Sequence, residues 1–92
     1  MAKKSATAAE RRHMSRVAAL GCILPDCGQA ADIHHIREGA GMSQRSSHYL
    51  TIPLCKEHHQ GSFSIHGSPR QFTNIYGSEL DLLAATIQQL SE

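Results

Sequence analysis

Pro53-Leu54-Cys55-Lys56-Glu57-His58-His59-Gln60-Gly61 places one thiol and two imidazoles between a proline and a glycine. A second thiol pair stands upstream in Cys22-Ile23-Leu24-Pro25-Asp26-Cys27-Gly28, so the full spacing is Cys22-x4-Cys27, 27 residues, then Cys55-x2-His58. Tetrahedral zinc takes four such ligands as two short-spaced pairs from separate segments, because each pair fixes one turn and the ion joins the two. The spacing therefore predicts a structural Zn2+ site of Cys22, Cys27, Cys55 and His58. Cys55 and His58, three apart at the start of a helix, share a face. Pro25 and Asp26 make the turn of the upstream knuckle, and Gly28 is free to take a positive φ. The competing reading, three buried free thiols beside an incidental histidine, leaves the pairing without a cause.

Outward from these pairs, Tyr49-Leu50-Thr51-Ile52 is expected to be a strand stopped by Pro53, with Leu54 to Gln60 a short helix ended by Gly61. Ala31-Asp32-Ile33-His34-His35-Ile36 is the other strand, and residues 37–47, with two Gly and three Ser, form the loop between them. Thr7 and Glu10 make a capping box for a helix over residues 8–20, where Met14, Val17 and Ala18 recur at helical spacing before Gly21. Ser68-Pro69-x-Gln71 caps a further helix closed by Gly77, and Ser78-x-x-Asp81 opens the last. In that last helix Leu80, Leu83, Ile87 and Leu90 form a stripe expected to pack. Phe63, Ile65, Phe72, Ile75 and Tyr76 complete the expected core. The class is α+β, a ββα unit flanked by helices, with residues 1–7 a basic flexible tail and 8–92 a single domain.

Six of the seven histidines fall between His34 and His66. His58 and His59 are neighbours on a helix and diverge by about 100°, so one ion is not expected to hold both. If His58 serves the zinc, His59 points to the other side of the unit, where His34 or His35 can meet it. On a strand His34 and His35 also face opposite ways unless a bulge re-aims one. Different tasks follow for the members of each doublet. One imidazole, with His59 and a further ligand, would hold a divalent ion at a phosphodiester; the other, near neutral pKa, would take a proton from water. His66 is the best third ligand, since the chain past Gly61 can fold back. Two histidines in an apolar strand would otherwise each need a partner.

His34-His35-Ile36, a polar loop and Pro53-Leu54-Cys55-x2-His58-His59 resemble the ββα-metal core of HNH (His-Me finger) nucleases with an embedded zinc ribbon. The longer string from Cys22 through residues 34–41, 45–61 and 65–67 to 72–77 is similar to the phage recombination-enhancement, RecA-dependent nucleases. The resemblance implies a metal-dependent DNA endonuclease with His35 as general base, His34 and His59 as catalytic-ion ligands, and Cys22, Cys27, Cys55 and His58 on the structural zinc. His48 stands near the motif's middle position, which braces the loop or orients the base. It further implies Mg2+ or Mn2+ as the working ion, although imidazole-rich sites also suit Zn2+. DNA and a RecA-type recombinase filament are the implied partners, in the cytoplasm of a bacterial host.

The chain's 92 residues carry 9 Lys and Arg against 8 Asp and Glu, 40% hydrophobic and 4% aromatic residues, and an odd three cysteines. A core this small is marginal alone, which favours a metal staple, and an odd thiol count argues against a disulfide framework. No stretch suits a membrane span or a secretory signal. Lys3, Lys4, Arg11, Arg12 and Arg16 oppose one acid, Glu10, in residues 1–20, so a basic helix is expected against DNA phosphates, with Arg16 among the contacts and Arg37 and Arg45 flanking the loop as phosphate clamps. His13, beside Arg11 and Arg12, is read as a solvated surface histidine. A small chain with a basic edge suggests a homodimer or a recombinase filament as the means of holding DNA. Two other readings compete: a non-catalytic zinc module that binds DNA or protein, and a two-zinc scaffold with Asp32 as the fourth ligand of a closed second site.

Overall fold

The structure, a computed structural model, describes residues 5–37 and 47–92. Thr7 and Glu10 exchange side-chain and backbone hydrogen bonds and start α1 (Ala8–Ala19). The chain then turns through the Cys22–Cys27 knuckle into β1 (Ala31–His35), returns in β2 (Thr51–Cys55), and passes straight into α2 (Lys56–Gln60). α3 (Pro69–Tyr76) and α4 (Glu79–Leu90) complete the α+β fold. No helix among the described residues is long and apolar enough to cross a membrane.

β1 and β2 pair antiparallel, with His34 opposite Ile52 and His35 opposite Thr51. All five β2 residues are buried, since α1, α2 and α4 all pack on this strand. Ile52, Leu54, Val17 and Phe72 lie fully enclosed at the centre, and each such side chain stabilises the fold by about 1.5–3 kcal/mol relative to exposure.

The second strand runs further than its sequence suggests, because Pro53 sits inside it rather than ending it. The carbonyl of Pro53 accepts from Ile23 N–H at 2.9 Å, on the side away from β1. A residue's N and C=O point the same way along a strand, so the missing N–H also faces that outer edge and costs no ladder bond. α2 is correspondingly shorter, with Cys55 as its N-cap.

Other expectations need correction. α4 buries Leu82, Leu83 and Thr86, whereas Leu80 and Ile87 are each 49% exposed; the packing face is rotated from the expected stripe because both flanks of the helix carry apolar residues. Phe63 and Ile75 are likewise exposed, while Ile65 and Phe72 are buried and Tyr76 packs against the core's edge. Ser68 precedes α3 without a side-chain cap, its hydroxyl donating instead to the Ser62 carbonyl at 2.8 Å. Ser78 and Asp81 do form their capping box.

Candidate metal centres and the histidine pair

The knuckle is built by backbone geometry. Asp26 and Gly28 adopt positive φ values of 62° and 64°, Cys22 N–H donates to Gln29 O at 2.9 Å and Cys27 N–H to Leu24 O at 3.3 Å. Cys55 arrives at the end of β2 and His58 from the first turn of α2. His58 Nδ1 then lies 3.7, 3.6 and 3.1 Å from the sulfurs of Cys22, Cys27 and Cys55, and Cys27 Sγ is 3.8 Å from Cys55 Sγ. Zinc bonds of about 2.3 Å to sulfur and 2.05 Å to nitrogen would set tetrahedral S···S and S···N separations of about 3.8 and 3.6 Å. The four groups could thus hold a metal such as zinc. Electrostatics agree: burial pushes the Cys22 thiol up to about 11, so a thiolate there needs a cation beside it, whereas the Gln29 amide holds the Cys27 thiol below its ordinary range.

The second group is assembled by a tight return of chain behind α2. Ile65 N–H donates to His58 O at 2.9 Å and His66 N–H to His59 O at 3.3 Å, while Ser64 Oγ, fully buried, donates to Gly61 O and accepts from Gly67 N–H. A Cβ at Gly67 would collide with the Gly61 carbonyl, so the turn needs glycine at that position. The result brings His66 against His59, their Nε2 atoms 3.1 Å apart. His34 joins them from β1, so that one ligand atom from each of the three histidines lies within 4.8 Å of the other two. Bonds of about 2.1 Å would place adjacent ligands about 3.0 Å apart in an octahedron and 3.4 Å in a tetrahedron. The 3.1 Å separation of the two ring nitrogens falls within that range, so the pair could share one cation. His34 and His59 are buried and His66 is exposed, which leaves this group one solvent-facing side.

Simple strand alternation separates the first doublet, without a bulge: His34 turns to the three-histidine group and His35 to the opposite side, where its Nε2 lies 2.9 Å from His48 Nδ1. The helical doublet separates in the same way, His58 to the cysteines and His59 to the histidines.

A family model described as recombination enhancement, RecA-dependent nuclease matches residues 6–91. The chain belongs to this family. Its name denotes a nuclease that works in recombination enhancement and depends on RecA. A search of curated proteins finds no match.

In this RecA-dependent nuclease family member, burial lowers the pKa of His59, and the neighbouring His34 and His66 lower it further. Burial, then His34 and Arg37, does the same for His66. Both shifts favour the neutral imidazole, the form that binds a cation. His59 Nδ1 is buried without a hydrogen-bond partner among the described residues, the Asp32 carboxylate lying 3.8 Å away. Asp32 itself is exposed and stands outside the three-histidine group.

The expected DNA contacts are scattered. Arg37 is exposed two residues beyond β1. Arg16 reaches the C-terminal end of α4, its Nη2 3.4 Å from Leu90 O. Arg45, with Lys3 and Lys4, lies outside the described residues. His13 packs on Tyr49, ring centroids 5.0 Å apart and planes tilted by 53°. One residue that the sequence reading passed over is Glu79: its Oε2 is 2.6 Å from His34 Nε2 and its Oε1 accepts from Arg37 N–H at 2.8 Å. In sequence it resembles an ordinary first-turn acid behind a serine cap, and no spacing rule marks it.

Proposed function

We propose that the chain is a metal-dependent HNH endonuclease that hydrolyses DNA phosphodiester bonds, with Cys22, Cys27, Cys55 and His58 on a structural zinc. The observation that carries this reading is the division of His34-His35: one side chain enters a half-open group of three histidines, and its neighbour pairs with a further histidine on the other side of the strand. A closed structural module has no need of such a division.

His34, His59 and His66 would hold a divalent ion, magnesium or manganese in use, and that ion would supply positive charge to the phosphate and to the departing 3′ oxygen. His35 takes a proton from the attacking water. The water oxygen forms its bond to phosphorus as the bond from phosphorus to the 3′ oxygen breaks. His48, whose Nδ1 lies 2.9 Å from His35 Nε2, orients the base by holding its ring through this contact. Arg37, exposed beside the group, contacts a DNA phosphate and carries no base-reading role. The host's cytoplasm, where DNA and a RecA-type filament meet, is the expected place of action.

His35→Ala tests the assignment. The variant is expected to keep its zinc and its circular-dichroism spectrum while plasmid nicking falls about 100- to 10,000-fold, the usual contribution of a general base. Undiminished nicking would remove His35 from the chemistry.

A further inference from the structure

We infer that Glu79 is the positioning residue of His34, selecting which of its ring nitrogens faces the ion; the inference rests on reading the three histidines as a divalent-cation site. The carboxylate comes from the first residue of α4, 45 positions along the chain from the strand histidine it meets. Its side chain is only 16% exposed and the imidazole 3%. A carboxylate so enclosed requires donors, and among the described residues the ring of His34 meets Oε2 at 2.6 Å and the backbone N–H of Arg37 meets Oε1 at 2.8 Å.

An ionised carboxylate only accepts hydrogen bonds, so Nε2 of His34 must carry the hydrogen. In the neutral ring the lone pair is then on Nδ1. Glu79 thus assigns the ligand nitrogen and locks the ring's rotation, as a carboxylate behind a metal-binding imidazole does in general. A direct ligand role is disfavoured, because the group of mutually close ligand atoms comprises His34, His59 and His66 and does not take in Glu79. The bond to Arg37 N–H adds a second constraint: it pins the end of β1 to the start of α4, so the ring's orientation depends on α4 being docked.

The test is titration of the zinc-loaded protein with Mn2+, following affinity by calorimetry, for the wild type, Glu79→Ala, Glu79→Gln and His34→Ala. Glu79→Ala is expected to bind Mn2+ about 10- to 100-fold more weakly while retaining one zinc and an unchanged circular-dichroism spectrum. Glu79→Gln should lose less, since its carbonyl oxygen can still accept from His34 or from the Arg37 N–H but not from both. Wild-type affinity in folded Glu79→Ala overturns the inference. Should that variant fail to fold, wild-type affinity in Glu79→Gln overturns it equally. Undiminished binding by His34→Ala would instead remove the cation site itself, which separates failure of the underlying reading from failure of the role given to Glu79.

Discussion

The two metal-capable groups share the α2 doublet yet differ in how they are made and in what they leave open. The cysteine group draws three sulfurs and one nitrogen from a knuckle, a strand end and a helix start, and four donors complete a tetrahedron. The histidine group offers three donors from β1, α2 and the turn behind it, with His66 exposed. A filled tetrahedron holds chain segments together, whereas three ligands with an open side leave a position for a substrate oxygen. The difference teaches that adjacent histidines can be divided between two metal-capable groups by a turn of about 100° on a helix.

The contrast is broken most directly at the staple. Cys55→Ala is expected to unfold the chain at 25 °C, because structural zinc contributes about 10–16 kcal/mol in zinc-finger peptides; a cooperative thermal transition in that variant would show that the cysteine group is dispensable. Leu54→Ala, fully buried in the core, should cost about 2–5 kcal/mol in urea denaturation of the zinc-loaded protein. His66→Ala should weaken Mn2+ binding at least about 100-fold, equivalent to about 2.7 kcal/mol, with the zinc content intact. A loss of zinc in that variant would erase the distinction between the groups.

Smaller effects bear on how the helices hold the second group. Ser78→Ala removes the N-cap of α4 and should cost about 0.5–2 kcal/mol; Thr7→Ala at α1 should cost a similar amount. Since Glu79 follows Ser78 directly, only Ser78→Ala should also weaken Mn2+ binding, and equal Mn2+ affinity in both variants would separate α4 docking from the site. Acid titration gives the smallest signal. The backbone hydrogen bonds of Thr7 and Ser78 lower the pKa values of Glu10 and Asp81 respectively. Folded-state values below the unfolded ones mean stability that is fully present above the unfolded carboxylate pKa and is lost as pH falls through the folded values. Carboxyl titrations followed by NMR should place both groups below the ordinary carboxylate range.

Much of this arrangement is legible locally. Cysteine and histidine spacing, capping boxes and turn residues act over a few positions, so they mark α1, the knuckle, the two strands and both doublets. Pro53 misleads because its tolerance depends on which edge of the strand its nitrogen faces, and that is set by Ile23 from another segment. Leu80 and Ile87 mislead because apolar spacing identifies a helix but does not choose its buried face when both flanks are apolar.

By itself the sequence determined the donor inventory: a chain with two short-spaced ligand pairs and paired imidazoles, whose periodicities of strand and helix force neighbours apart. Only the tertiary structure decided that His66 returns to His59, that His35 meets His48, and that Glu79 closes on His34 across 45 residues. The physical reason is that covalent geometry orients a side chain relative to its own backbone, while its partner is chosen by the packing of distant segments, which no local spacing encodes.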